Sequence, residues 1–274
     1  MRRALAGSLA LSVGAAPVGV FLMLRRMSLT GDAMAHALLP GAALGYLVAG
    51  LSLPAMTIGS AIAGLLVAVL SGVVARTTAL REDASLAAFY LISLAAGVAI
   101  ISVYGSSVDL LHVLFGTVLA LDDAALILIG TISTVTLVTL ALILRGLIAE
   151  CVDPAFIRTV STAGGWVHML FLTLVVLNLV GGFQALGTLM VVGIMILPAS
   201  AARFWTRSVT VILVLSVLIG LTACLAGLLL SYHLNAPSGP MIILSAGAIY
   251  ILSLLGGSVD GYLRTLLPRR HLHA

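Results

Sequence analysis

Apolar residues run along this chain in long blocks separated by short clusters of arginine, aspartate, glycine and proline. The blocks fall at about 4–24, 32–50, 55–75, 84–104, 124–144, 166–180, 185–202, 209–230 and 240–256. About 20 residues of α-helix rise about 30 Å, the thickness of a bilayer's hydrocarbon core, so each block is long enough, or nearly so, to cross. The pattern predicts an all-α polytopic membrane protein with about nine helical spans. No ten-residue segments of alternating polarity point to a barrel. Between the fourth and fifth blocks lies "SVDLLHVLFGTVLALDD", whose apolar part at 108–121 is too short to span and reads as a re-entrant or interfacial segment. The blocks 166–180 and 185–202 are joined only by the short turn "GGFQ".

Composition sharpens this reading. Of 274 residues, 62% are hydrophobic and 8% charged, and the mean hydropathy is +1.27, which excludes a soluble domain as the main body. The longest polar connection, from Arg145 to about Gly165, is too short for a further domain, so 1–274 reads as a single transmembrane domain. The opening "MRRALAGSLALSVGAAPVGV" has the basic start of a signal peptide, but its apolar run continues to Leu24 and stops at Arg25-Arg26. That favours a retained first helix. Pro17, Pro40 and Pro198 lie inside apolar segments, where each removes a backbone hydrogen bond and can kink or break a helix. Most of the 28 glycines read as packing residues that let helices approach closely in lipid.

All 13 positive charges are arginine. Without lysine there is no GxxxxGK[ST] phosphate loop, so any use of ATP must come from a partner. With 108–121 not crossing, Arg25, Arg26, Arg76, Arg81, Arg145, Arg158, Arg203, Arg207, Arg264, Arg269 and Arg270 share one face, and only Arg2 and Arg3 lie on the other. The positive-inside rule makes the richer face cytoplasmic, with the N-terminus outside and the C-terminus inside. The net charge of +4 then reflects arginines facing anionic lipid, not nucleic-acid contact. Cys151 and Cys224 sit in different settings and form neither a disulfide framework nor a CxxC site.

Candidate chemistry concentrates in "TGDAMAHALLPG". Asp32 and His36 stand four residues apart, on one helix face, and a carboxylate with an imidazole suits Zn²⁺, Mn²⁺ or Fe²⁺. The plainer alternative is that Asp32 caps the helix and His36 bonds between helices. Two residues do not complete a metal site, so other groups or a second subunit must contribute. Asp109 and His112, with Asp122 and Asp123 beyond them, read either as an acidic vestibule that attracts cations or as a solvated interfacial helix. His168, Asn178 and His233 are isolated and read as hydrogen-bonding groups in the bundle or at an interface. Catalysis is disfavoured: there is no HExxH helix or GxSxG elbow, and Glu82-Asp83 and Glu150 with Asp153 read as loop solvation. No intrinsic cofactor is expected. In "ECVDPAFIRTVSTAGGWV", Asp153-Pro154 predicts a short helix at about 154–162, closed by Gly164-Gly165, that either docks into a partner or lies on the membrane surface.

"RRMSLTGDAMAHALLPGAALGY" resembles a signature of permease subunits from ABC-type importers of manganese, zinc and iron. "GGFQALGTLMVVGIMILPASAARFW" resembles their second signature, "VDPAFIRTVSTAG" their cytoplasmic Asp-Pro segment, and "LNAPSGPMIIL" the opening of their last helix. The likeness runs from about residue 5 to 260. It implies a homodimeric permease in a bacterial inner membrane, with a fold like that of the cobalamin and siderophore importers. It implies as partners a pair of ABC ATPase subunits, which bind the ATP, and an external solute-binding protein that delivers the metal. By the same resemblance Asp32 and His36 hold the ion in transit, and the segment at about 150–165, with Asp153, Pro154, Ala155, Arg158 and Gly164, couples ATP hydrolysis to opening. The sequence departs from the family's usual pattern at Ile157-Arg158. "LLHVLFGTVLALDDAAL" and the ending "PRRHLHA" look most like zinc-type members. The rival is a self-sufficient secondary transporter or channel in which Asp32 and His36 relay protons.

Overall fold

The computed structural model describes residues 2–50, 52–78, 82–104, 121–152, 163–259 and 261–262. Among them lie ten helices: α1 (Arg2–Leu24), α2 (Thr30–Ala37), α3 (Leu39–Ala49), α4 (Leu53–Thr77), α5 (Glu82–Tyr104), α6 (Asp123–Val152), α7 (Ala163–Leu186), α8 (Thr188–Arg203), α9 (Val209–Leu234) and α10 (Ser238–Gly256). Eight stretches are long and apolar enough to cross a membrane, with α2 and α3 counting as one, and α8 is a shorter apolar helix. The protein is a multi-pass membrane protein whose helices match the nine blocks of the sequence. Asp109, His112, Asp153, Pro154, Ala155 and Arg158, and nearly all of the 108–121 segment, lie outside the described residues.

Several boundaries differ from expectation. The block 32–50 is broken at Leu38, two residues before Pro40, which has no N–H to offer the carbonyl of His36. Ser93 of α5 donates to the carbonyl of Ala37 at 3.0 Å, so the opened backbone finds a partner inside the protein. "GGFQ" is not a turn: α7 runs through it to Leu186, and the chain reverses at Gly187, whose φ of 87° is left-handed backbone open to glycine. Gly182 faces Val191 across that reversal. α6 continues past Arg145 to Val152, because "LRGLIAECV" contains no helix breaker strong enough to end it. Gly164 and Gly165 form the first turn of α7, and the helix expected at about 154–162 lies outside the described residues.

Cross-helix pairings give each helix a direction. Arg3 meets Asp123 at the start of α6, while Arg25 meets Glu150 at its end, so α1 and α6 are parallel. Ser71 with Ser85 makes α4 and α5 antiparallel, and Gly146 on Val167 with Gly181 on Ile132 does the same for α6 and α7. Leu121 packs against Gly7 near the start of α1. Gly64 on Val176 and Gly72 on Met169 make α4 antiparallel to α7, so the end of α5 and the start of α6 reach the same face, that of Arg3. Arg25, Arg26, Arg145, Arg203 and Arg207 gather at the opposite face, where Val259 donates to the carbonyl of Phe204 at 2.9 Å. This is the charge segregation expected from the sequence, among the described residues.

α1 is the central post. Ala15, Ala16, Val18, Val20, Phe21 and Leu22 are fully buried, and α6, α7, α8 and α9 surround them. Without a hydrophobic drive between helices in lipid, close backbone approach supplies the packing. Gly14 lies on Ser133, Gly220 on Ser12, and Gly19 against the carbonyl of Met195, where no side chain fits.

Candidate functional site

α2 has eight residues, and six are buried: Thr30, Gly31, Ala33, Met34, Ala35 and Ala37. The two left open are Asp32 and His36. Their side chains are 65% and 32% exposed, and His36 Nε2 lies 3.8 Å from Asp32 Oδ1. The apolar side of the helix is spent on α4, α5, α7 and α8, so its polar side is what remains to face outward. The cap alternative does not hold, because α2 begins at Thr30 behind Leu29 and no side chain caps it. Asp32 is the acidic residue of the first turn, where the helix dipole favours its charge. Two donors on one face, with room between them and open to the outside, can take one cation from one side. Among the described residues no third His, Cys, Asp or Glu joins them.

Of the four residues read as a vestibule or an interfacial helix, Asp122 and Asp123 are described. Asp122 accepts the N–H of Ala125 at 2.8 Å, capping α6, and Asp123 pairs with Arg3 at 2.9 Å. Asn178 is fully buried and donates to Thr136 Oγ1 and to the carbonyl of Leu174, each at 2.8 Å, a tie between α6 and α7. His233 lies edge-on to Tyr232 at the end of α9.

A second polar centre escaped the sequence reading. Glu150 does not solvate a loop. It sits in the last turns of α6, 11% exposed, and accepts a charge-assisted hydrogen bond from Arg25, which is 9% exposed. His168 Nδ1 lies 2.8 Å from Arg25 Nη2 and 3.4 Å from Glu150 Oε1. The guanidinium also rests over the ring of Phe171 at 5.2 Å, and Phe171 packs edge-on to Phe21. Burial of two opposite charges requires such matching. Nothing local signals it, since the partners are 125 and 143 positions apart. The only hint is a glutamate set in the otherwise apolar run "GLIAECV".

The profile described as the ABC 3 transport family matches residues 1–257. The chain belongs to that family. ScaB of Streptococcus parasanguinis, a manganese import system permease protein, is 32% identical over 253 residues, 92% of this chain and 89% of its own. YfeD of Yersinia pestis, a chelated iron transport system membrane protein, is 29% identical over 255 residues, 93% of this chain and 84% of its own. Among solved structures, PsaBC from Streptococcus pneumoniae in complex with Fab superposes with a TM-score of 0.83 at 30% identity, covering 96% of this chain and 94% of that one. The ABC permease fold and family implied by the motifs are thus borne out. The lean toward zinc is not supported, since these relatives carry the names of manganese and chelated iron systems.

Proposed function

We propose that this ABC 3 family member is the permease of an ATP-driven importer of a divalent transition metal, with manganese favoured over iron and zinc, and that the ion passes beside Asp32 and His36. The observation that carries the site is the exposure pattern of α2, whose two unburied side chains are a carboxylate and an imidazole 3.8 Å apart. The metal preference draws on the names of the relatives and on a donor set of carboxylate oxygen and imidazole nitrogen, which accommodates Mn²⁺ and Fe²⁺. A second copy of the chain would bring its own pair and complete the shell around a shared path. The ATPase subunits would bind at the arginine-rich, cytoplasmic face through the 153–162 interval, and a solute-binding protein would deliver the ion to the Arg3 face.

Uptake of manganese, iron and zinc by cells carrying the intact system tests this. Asp32→Ala and His36→Ala, at matched membrane expression, are each expected to lower uptake of one metal by on the order of 10- to 100-fold, the scale of a damaged metal shell. Undiminished uptake in both variants would remove the pair from the path.

A further inference from the structure

The buried group of Arg25, Glu150 and His168 joins the ends of three helices, and what it joins suggests its use. Glu150 is three residues before Asp153, and His168 is five residues after Ala163, so the two flank the interval 153–162 in sequence. Arg25 is one residue past the end of α1 and five before Thr30, the first residue of α2. We propose that this triad is a positioning device, the tie by which displacement of the 153–162 interval reaches the helix that bears Asp32 and His36. The inference rests on the coupling role proposed above for that interval.

The link from Arg25 to α2 has little slack. Arg26 is left-handed at φ 59°, its N–H bonds to the carbonyl of Met23 at 3.0 Å, and the N–H of Met27 bonds to the carbonyl of Leu22 at 2.8 Å. This is a Schellman closure, which fixes the exit direction of the chain from α1. Met27 is buried, the N–H of Thr30 bonds back to its carbonyl at 3.0 Å, and the N–H of Ala33 reaches Leu29. Hydrogen bonds thus run from the end of α1 into the first turn of α2. A shift of Arg25 must carry α2 with it or break several of them.

The chemistry of the triad fits transmission better than it fits stability. A buried ion pair is weak evidence for stability, because apolar residues of the same volume pack as well. Here Arg25 Nη1 and Glu150 Oε2 have no hydrogen-bond partner among the described residues, so the network is not saturated. What charge adds is direction. One guanidinium nitrogen, Nη2, reaches both Glu150 and His168, and with the guanidinium over Phe171 this fixes the relative placement of the ends of α1, α6 and α7 in a water-poor setting, where the attraction is little screened.

The test uses the permease assembled with its ATPase subunits and binding protein in liposomes, and reads manganese transported per ATP hydrolysed. A purely structural role lowers the amount of active complex and scales both rates together, leaving their ratio unchanged. The triple variant Arg25→Met/Glu150→Leu/His168→Leu removes every charge while keeping volume. It is expected to hydrolyse ATP but to move about fivefold less metal per ATP, or lower still, the usual scale of a coupling free energy. Arg25→Lys keeps the charge without the planar guanidinium that lies over Phe171 and is expected to fall between the triple variant and wild type. A wild-type ratio in the triple variant overturns the proposal, and if that variant does not assemble, a wild-type ratio in Arg25→Lys does so. Absence of ATP-driven uptake in the wild type would instead refute the transport reading itself.

Discussion

Among the described residues some charged and polar side chains are matched inside the chain and others face out of it. Arg25, Glu150 and His168 are matched, as are Arg3 with Asp123 and Asn178 with Thr136. Asp32 and His36 are the pair turned outward from an otherwise buried helix. The sequence made that pair legible because both residues lie on one turn of one helix, where spacing alone fixes the face. It did not reveal the triad, because residues 125 positions apart are brought together only by the packing of α1 on α6. At this scale Arg25→Met alone is expected to destabilise the protein by about 3–5 kcal/mol, since it leaves Glu150 buried without its cation. The double variant Arg25→Met/Glu150→Leu is expected to recover most of that loss. Thermal unfolding of the detergent-solubilised permease, followed by its retention as a monodisperse species, distinguishes the two.

Helix ends were the least legible elements, and the reasons are specific to lipid. Gly181-Gly182 looks like a turn, yet it lies within α7, where opening the backbone would leave groups without water to satisfy them, and Gly164-Gly165 begins that helix. The actual reversal at Gly187 depends on one left-handed residue, which "QALGTL" does not advertise. Pro40 was legible as a break, and the break sets where the polar face of α2 stops. Pro40→Ala restores the missing N–H to the carbonyl of His36 and is expected to fuse α2 to α3. The protein should still assemble, with metal uptake reduced more than its stability, as measured by uptake against unfolding temperature. Close helix contacts give a sharper contrast. Gly19→Ala places a methyl into the carbonyl of Met195 and is expected to abolish assembly, whereas Gly130→Ala meets nothing within 4 Å and is expected to be tolerated or to stabilise by up to about 1 kcal/mol. Membrane-fraction yield and unfolding temperature read both.

For the whole molecule, the membrane class and the number of blocks followed from apolar run length, and the segregation of arginines followed from their order along those blocks. The structure gathers Arg25, Arg26, Arg145, Arg203 and Arg207 at one face and leaves Arg2 and Arg3 near the other. If the richer face is cytoplasmic, Arg3→Cys will react with an impermeant thiol reagent from outside intact cells and Arg207→Cys will not, in a background lacking Cys151 and Cys224. A family fold does not by itself locate a path, and the proposed one runs beside Asp32 and His36 on α2. The most direct measurement is the pulsed paramagnetic resonance spectrum of Mn²⁺ bound to the assembled permease in detergent. Nitrogen hyperfine coupling is expected in the wild type, lost in His36→Gln at equal protein folding and with weaker binding in Asp32→Asn. Nitrogen coupling that persists unchanged in His36→Gln would mean that the ion is held elsewhere.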